Sequence, residues 1–465
     1  MKFSVYVVGS NPLPVIIALC YYCGLPEPGR ESGEVHKALF IYSKETENYF
    51  NNIKTWIDKL KSPPKVEGYY LNNAHNPLEI YNAVKSKIEQ TLPGIEDLSE
   101  VFINTSSGTK AMSINTVCAL VDTVNEKNPF NIDLREADID PENGIIYIID
   151  PRNKTEIARF SYKGKTNNAF EDIITTEDII RLYDYEKKPK KDPSFTLDTA
   201  DKTIEFGEKI FESIKGYQAF QALIFSSRSL FEMKKTLKNH SIETNFLDVC
   251  KDILQTCNND KLSQLVKFIN KKKNATPYSF KPFFEFYKNT PSQIENIHQL
   301  FLEYDLIRSD ENEFMSQEHF KFITGFWLEE YVWALLLSIT QEDKRFEIIN
   351  GLELFPKTSS KKIPFEIDLV FRNGYDITFI SCTTDNTTGL VKSKAYEVLS
   401  NADCIGLRTK AILISLLNCN DELDFLAERN SSFSAQKYKK AKFLYLKDLK
   451  NSEQLKEQLK IYLNI

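Results

Sequence analysis

The sequence predicts an α/β protein with a Rossmann-like domain at the N-terminus, a helical connecting region and a second α/β domain at the C-terminus. Three patterns support this fold class. Residues 1–185 alternate short β-branched runs with segments of helical period, residues 199–320 are mostly helical in period, and an apolar helix followed by a hairpin lies near the C-terminus. A chain of 465 residues also suits two or three domains rather than one core.

Composition and charge indicate a packed globular chain. Hydrophobic residues make up 42% of the sequence and aromatic residues 12%, which is ample for packed interiors. The formal net charge of -6 argues against a uniformly basic surface that binds nucleic acid without sequence preference. Any contact with a polynucleotide must therefore be local.

The eight cysteines lie in apolar surroundings, which indicates buried small side chains rather than a disulfide framework. Cys20 and Cys23 form one CxxC pair, but no second pair follows at zinc spacing. No apolar run approaches the roughly 20 residues that cross a membrane, and Phe3–Val8 is better interpreted as a first strand than as a signal. We therefore expect a cytoplasmic protein with no membrane partner.

The N-terminal domain is predicted from apolar runs that alternate with helical segments, the pattern of a parallel sheet with covering helices. Ligands of such sheets usually bind beyond the carboxyl ends of the strands. The predicted strands are Phe3–Val8, Ala38–Tyr42, Val66–Leu71, Val101–Asn104 and Ile145–Ile149, and the predicted helices are Pro14–Tyr22, Glu45–Leu60, Asn76–Thr91 and Lys110–Val124.

Two of these strand ends are polar and rich in small residues. Gly9-Ser10-Asn11-Pro12 follows the first strand, and Thr105-Ser106-Ser107-Gly108-Thr109-Lys110 follows the fourth and leads into a helix. Backbone amides, hydroxyls and a lysine at a helix start form a cradle for phosphate. The alternative is a plain helix cap in which Ser107 or Thr109 accepts from first-turn amides. Neither GxGxxG nor GxxxxGK(S/T) is present, which argues against a dinucleotide or a nucleoside triphosphate held in the usual way.

The charged run Glu186-Lys187-Lys188-Pro189-Lys190-Lys191-Asp192-Pro193 is typical of a solvated linker. A basic patch that contacts nucleic acid is the alternative. The helical region that follows contains no residues to which we assign chemistry. We place the domains at 1–185, 186–317 and 318–465.

The C-terminal domain is predicted from a helix over Gly325–Trp333 and a hairpin of the strands Phe365–Phe371 and Ile377–Thr384, joined at Asn373-Gly374. Side chains on a strand alternate between its two faces. The apolar residues 365, 367, 369 and 371 therefore share one face of the first strand, which leaves Glu366 and Asp368 on the other.

An acidic helix residue beside an acidic strand residue is typical of nucleases that hold a divalent cation, and Mg²⁺ or Mn²⁺ prefers carboxylate oxygens. Asp368 is the leading candidate ligand and Glu329 the second, whereas Glu366 is a weaker candidate. The alternative is that these acids are only exposed positions of a hairpin and of a solvated helix face.

The second strand carries Ser381 and Thr383 where such a core usually offers an acid and a lysine. Asp385, just past the strand, could replace the acid. The following helix offers Lys392 and Lys394 as the lysine, and Lys394 lies closer to the apolar face of that helix.

The two ends of the chain together resemble the CRISPR-associated CARF-domain nucleases, ancillary effectors of type III CRISPR in which a cyclic-oligoadenylate sensor domain precedes a PD-(D/E)xK endonuclease domain. The resemblance covers residues 1–185 and 318–420. Its motifs are Ser10 to Pro14, Ser107 to Met112, Ile179 to Tyr183 and Gly325 to Trp333.

This resemblance implies a homodimer whose sensor domains bind one cyclic oligoadenylate, and a two-fold pocket favours cyclic tetra-adenylate. It also implies a nuclease that depends on Mn²⁺ or Mg²⁺ and cleaves DNA, with RNA as an alternative substrate, in antiviral defence. Because Ser381 and Thr383 replace the usual acid and lysine, the other implied function is a regulator whose nuclease-like domain is catalytically degenerate. The ligand contacts carried over are Ser10, Asn11, Thr105, Ser106, Gly108, Thr109 and Lys110.

Overall fold

Two large β-sheets and a two-stranded one, with helices around and between them, form the part of the chain that the computed structural model describes. The described residues are 2–23, 36–60, 63–92, 98–127, 132–140, 144–161, 174–189, 196–225, 292–308, 313–314, 316–340, 346–357, 364–384, 388–406, 409–417 and 441–465.

The first sheet has seven strands in the order β3-β2-β1-β4-β5-β6-β7. The five strands from β3 to β5 in this order run parallel, whereas β6 and β7 run antiparallel to their neighbours. The strands are β1 (Lys2–Val7), β2 (His36–Ser43), β3 (Lys65–Leu71), β4 (Glu100–Asn104), β5 (Asp133–Asp140), β6 (Ile145–Asp150) and β7 (Thr155–Ser161).

All five strands predicted in this domain are present, but the last of them, β6, runs antiparallel to β5 rather than parallel. Only a short connection separates β5 from β6, and a parallel return needs a crossover of a dozen or more residues. The sequence also gave no prediction for β5 or β7. In β5 acidic residues alternate with buried Leu134, Ala137 and Ile139, so the apolar signal is weak.

Helices cover both faces of the first sheet. α1 (Leu13–Tyr22), α2 (Glu47–Ile57) and a later helix, α5 (Thr176–Leu182), pack on one face, and α3 (Pro77–Thr91) and α4 (Lys110–Lys127) pack on the other. The sequence predicted α1, α2, α3 and α4 to within a few residues.

The second sheet has six strands in the order β15-β14-β13-β12-β11-β8. The three strands β13, β14 and β15 are parallel, and the remaining pairs are antiparallel. The strands are β8 (Tyr185–Pro189), β11 (Phe346–Pro356), β12 (Phe365–Asn373), β13 (Asp376–Thr383), β14 (Lys410–Ser415) and β15 (Ala441–Leu444), and a separate two-stranded sheet joins β9 (Ile307–Arg308) to β10 (Glu313–Phe314).

The interpretation of the charged run as a solvated linker is wrong for its first residues, because β8 is an edge strand of the second sheet. Edge strands tolerate lysines and a terminal proline. Lys188 also lies over the Phe355 ring, with Nζ 4.1 Å from the ring centroid. Residues 190–193 lie outside the described residues.

The connecting helices pack on the second sheet. α6 (Ala200–Glu212), α7 (Ile214–Phe225) and α8 (Ser292–Glu303) share one apolar cluster with α10 (Trp327–Thr340) and α13 (Ser452–Leu463). A Cβ built on Gly207 of α6 would overlap the Tyr331 ring of α10, so this contact needs glycine. The remaining helices are α9 (Gln317–Lys321), a π-helix (Phe322–Phe326), α11 (Thr388–Cys404) and α12 (Leu446–Leu449).

A second apolar cluster joins the two domains. It contains side chains of α1, α2 and α5 together with α11 and one face of the second sheet. A polar contact supports it, since Glu347 Oε2 accepts from Thr176 Oγ1 at 2.7 Å and from Arg372 Nε at 2.9 Å. Burial would raise the pKa of Glu347, but these two partners lower it below its ordinary value.

Among the described residues, one helical stretch, Phe322–Thr340, is long and apolar enough to cross a membrane by length and composition. The sequence predicts no apolar run of that length, because Glu329 and Glu330 interrupt this segment. It lies inside the fold, where it packs against α6 and the second sheet, and core helices commonly pass the same test.

Candidate functional site

The loops that follow β1 and β4 meet at the carboxyl edge of the first sheet. β1 pairs with β2 on one side and with β4 on the other, so the strand order reverses between β1 and β4. Ligands of open α/β sheets bind in the crevice at such a reversal. The structure therefore brings the two polar segments singled out in the sequence into one crevice.

Two glycines allow the loops to approach each other. A Cβ built on Gly9 would overlap the carbonyl oxygen of Ser107, and one built on Gly108 would overlap the side chain of Val7. A larger residue at either position would push the loops apart. Gly108, predicted as a ligand contact, thus has a packing role as well.

Asn11 and Ser107 connect the two loops to each other. Ser107 Oγ donates to the carbonyl oxygen of Asn11 at 2.6 Å, and the Tyr183 hydroxyl donates to Asn11 Oδ1 at 2.6 Å. Thr109 Oγ1 accepts from the Met112 amide at 3.2 Å and caps α4. The cap alternative therefore holds for Thr109 but not for Ser107.

The remaining predicted contacts divide into two groups. Thr105 Oγ1 donates to Glu136 Oε1 at 3.2 Å, and Ser106 Oγ accepts from the Ile139 amide at 3.2 Å, so both hydroxyls are engaged by β5. Ser10, Thr109 and Lys110 are exposed, so a ligand that enters the crevice would meet these three first.

In the second sheet, β12 and β13 separate at Asp368. Their pairing runs from Asn373 and Asp376 to Leu369 and Ile380. Beyond that pair, Asp368 Oδ2 accepts from Ser381 Oγ at 2.9 Å and from the Cys382 amide at 2.8 Å. The carboxylate thus satisfies the backbone at the point where the ladder opens.

Glu329 and Asp368 both act on the buried thiol of Cys382. Burial raises the pKa of this thiol well above its ordinary value, and the negative charges of Asp368 and Glu329 raise it further. The negative charges of both carboxylates, one on α10 and one on β12, therefore act on one side chain of β13. Their role as metal ligands stays a prediction.

Lys394, on α11, lies within electrostatic reach of Asp368. Its Nζ lies 3.0 Å from Glu397 Oε2. Burial would lower the pKa of Lys394, but the hydrogen bond to Glu397 and the charges of Glu397, Asp368 and Glu366 raise it. Glu366 is exposed and Lys392 is half-buried. Asp385 lies outside the described residues.

The π-helix before α10 helps to position Glu329. A π-helical turn breaks the regular i to i+4 ladder, so carbonyls there need other donors. Tyr217 Oη donates to the Ile323 carbonyl at 2.8 Å, and Thr384 Oγ1 donates to the Thr324 carbonyl at 3.4 Å. Trp327 Nε1 in turn donates to Tyr217 Oη at 2.6 Å. The turn is therefore fixed by α7 and by the residue just after β13.

Sequence patterns did not predict this support from the connecting region. Gln221 Nε2 also donates to the Thr324 carbonyl, at 3.3 Å. Tyr217 and Gln221 are four residues apart and share one face of α7. Two polar residues four apart in an otherwise apolar helical segment are the sequence signal from which this support could have been predicted.

The alternative that Glu329 and Glu330 form a solvated helix face is wrong for Glu330. This side chain is 1% exposed, and its Oε1 accepts from Asn350 Nδ2 of β11 at 2.7 Å. Glu330 therefore attaches α10 to the second sheet, whereas Glu329 is only half-buried.

The donor set fits a hard divalent cation. In the described ranges there is no group of three or more His, Cys, Asp or Glu that could hold a metal ion. However, Mg²⁺ usually binds one or two carboxylates and completes its shell with water and substrate phosphates. Glu329 and Asp368 would supply two such carboxylates. Ser381 donates to the Asp368 carboxylate. A residue in this position orients a metal-binding carboxylate and does not itself bind the metal.

Taken together, the two sheets define a two-domain α/β architecture: a Rossmann-like first domain, connecting helices, and a second mixed α/β domain in which α10 precedes β11 and α11 joins β13 to β14. No family model and no curated protein sequence matches the chain.

Solved structures do match it over its whole length. Protein VC1899 from Vibrio cholerae matches with a TM-score of 0.65 at 12% identity, over 99% of this chain and 98% of that one. Can2 from Sulfobacillus thermosulfidooxidans, in complex with cyclic tetra-adenylate, matches with a TM-score of 0.58 at 13% identity, over 100% of both chains. The fold class predicted from the sequence is therefore confirmed.

Proposed function

We propose that the chain is a metal-dependent nuclease activated by a cyclic oligoadenylate, and that it acts on DNA in type III CRISPR antiviral defence. The observation that carries the proposal is that one chain joins a polar switch-point crevice to a pair of carboxylates at a strand opening. Can2, which shares this two-domain fold, was solved with cyclic tetra-adenylate bound.

The crevice suits an anionic ring. Lys110 and the exposed hydroxyls of Ser10 and Thr109 lie where the amino end of α4 favours negative charge. In a cytoplasmic homodimer, two such crevices facing each other would hold a ring with an even number of adenylates. Cyclic tetra-adenylate is therefore the proposed activator.

In the second domain, Glu329 and Asp368 would hold Mg²⁺ or Mn²⁺ against a scissile phosphate. A bound cation offsets charge on that phosphate and lowers the pKa of an attacking water. Ser381 and the Cys382 amide keep the Asp368 carboxylate oriented. Lys394, held cationic by its acidic neighbours, would stabilise the charge that develops on phosphate oxygens.

The second candidate is a regulator that binds the ring but does not cut. Two observations favour it, because one oxygen of Asp368 is already engaged by Ser381 and Cys382, and Lys394 is already paired with Glu397. In that case the C-terminal domain would be a binding module.

Incubation of the purified protein with Mn²⁺ or Mg²⁺, labelled single-stranded DNA, nicked duplex or RNA, and cyclic tri-, tetra- or hexa-adenylate tests both candidates. We expect DNA cleavage that requires metal and is stimulated by the tetra-adenylate. Tight ring binding with no cleavage of any substrate would select the regulator. Absence of ring binding would contradict both.

A further inference from the structure

Tyr183 contacts both domains at once. It follows α5, its side chain is buried, and its hydroxyl donates to Asn11 Oδ1 at 2.6 Å. Asn11 also accepts from Ser107 through its carbonyl oxygen. Tyr183 is therefore hydrogen-bonded to Asn11, the residue that connects the two loops of the ligand crevice.

The ring of Tyr183 lies against the backbone of Gly406 in the second domain. A Cβ built on Gly406 would lie 2.5 Å from Tyr183 Cζ, and Gly406 has φ +107, a conformation that side chains rarely adopt. Gly406 lies in the turn that ends α11, where its amide donates to the Asp403 carbonyl at 3.3 Å. Packing this close leaves the ring no room to move without moving the turn.

α11 connects this turn to the predicted catalytic lysine. The helix is continuous over Thr388–Cys404 and buries Val391, Ala395 and Val398 along one side. Lys394 lies roughly 15 Å along the axis from the end of the helix, at 1.5 Å per residue. A shift of the Gly406 turn would therefore be transmitted along the helix to Lys394.

We propose that Tyr183 is a positioning residue that couples ligand occupancy at Asn11 to the placement of α11 and Lys394. The proposal rests on the proposed function, since it needs an anionic ring in the crevice. A phosphate of this ligand would accept a hydrogen bond from Asn11 Nδ2. Rotation of the Asn11 side-chain amide toward the phosphate would change the hydrogen bond between Asn11 Oδ1 and the Tyr183 hydroxyl. The bound ligand thus favours one arrangement of the Tyr183 side chain, the Gly406 turn and α11 over the arrangement without ligand.

The variant Tyr183→Phe keeps the ring against Gly406 and removes only the hydroxyl. Hydrogen exchange of the full-length protein, with and without cyclic tetra-adenylate, is measured over residues 9–11 and 105–110 and over 388–406. In the wild type we expect ligand to change exchange in both regions. In Tyr183→Phe the first change should persist and the second should disappear. The ratio of stimulated to basal cleavage should fall about fivefold, the value of one hydrogen bond.

Tyr22→Phe is the matched control, because the buried Tyr22 hydroxyl donates to the Phe3 carbonyl of β1 at 3.3 Å. It should behave as the wild type. If Tyr22→Phe also loses the α11 response, or if Tyr183→Phe keeps that response, the coupling role of Tyr183 is excluded. Binding of the cyclic oligoadenylate would be unaffected by either result.

A wild-type protein that shows no ligand response at residues 9–11 and 105–110 would overturn the proposed function and the coupling with it. Should Tyr183→Phe fail to fold, Asn11→Ala removes the acceptor from the other side. At saturating ligand it should abolish the α11 response in the same way, and a retained response would exclude the coupling.

Discussion

The two candidate sites are built in different ways. The crevice of the first sheet is formed by residues adjacent in sequence, in two loops that parallel strands bring to one edge. The carboxylate pair of the second sheet joins residues on α10 and β12, and its supports come from α7 and β13. The crevice therefore depends on local sequence, and the carboxylate pair depends on packing between distant segments.

This difference predicts how each site responds to substitution. A crevice made of exposed loop residues should lose affinity in small steps, since each contact with phosphate is partly solvated. A half-buried pair, in which Asp368 accepts two hydrogen bonds, should lose function almost completely when one member changes. Four substitutions, from the largest expected effect to the smallest, test the contrast.

Asp368→Asn should reduce metal-dependent cleavage by about 1000-fold. The amide oxygen can still accept from Ser381 and Cys382, so the fold and the ring affinity should remain close to wild type. Cleavage rate, thermal unfolding and ring binding are measured together. Glu366→Gln, two residues away and exposed, is the control and should change the rate by no more than about twofold. An active Asp368→Asn protein would show that the site lies elsewhere.

Lys394→Ala should lower the cleavage rate by roughly 100-fold, because it removes a cation that interacts electrostatically with Asp368. Lys392→Ala on the same helix is the matched comparison and should cost only about twofold. Single-turnover rates at saturating metal separate the chemical step from binding. Equal losses in the two variants would mean that neither lysine has a specific role.

Tyr217→Phe should destabilise the protein by about 1–2 kcal/mol, because the buried Ile323 carbonyl and Trp327 Nε1 both lose their partner. Denaturant unfolding measures this change, and the cleavage rate should fall with it as Glu329 loses its support. Tyr331→Phe is the control, since the buried Tyr331 hydroxyl has no hydrogen-bond partner among the described residues. A stable and active Tyr217→Phe protein would contradict the proposal that the π-helix helps to position Glu329.

Lys110→Ala should weaken ring binding about fivefold and reduce the salt dependence of affinity by roughly one unit of slope, as expected for one phosphate contact. Calorimetry at several salt concentrations measures both quantities. Lys85→Ala is the control, because this lysine pairs with Glu126 at the far end of α4. An unchanged affinity in Lys110→Ala would leave the loop as a helix cap only.

Local patterns predicted most of the fold. The helices of the first domain and the strands around Asp368 follow from apolar spacing, which each segment carries by itself. The hairpin was predicted at Asn373-Gly374, but β12 continues through Asn373 and Gly374 opens the loop with φ +59. Two-residue hairpin loops accept glycine at their first position. The glycine therefore indicates that a turn is present, whereas the pairing of β12 with β13 determines which two residues form the loop.

The sequence by itself determined the order of the two domains, the polar loops after β1 and β4, and the acids and lysines from which a cation site could be chosen. Only the tertiary structure decided that β8 joins the second sheet, that Tyr217 supports the π-helix and that Tyr183 lies between Asn11 and Gly406. Periodicity reports which face of a segment is buried, but it does not report which distant segment covers that face. Those contacts are selected by packing and by the need to pair buried polar groups, and both depend on the whole chain at once.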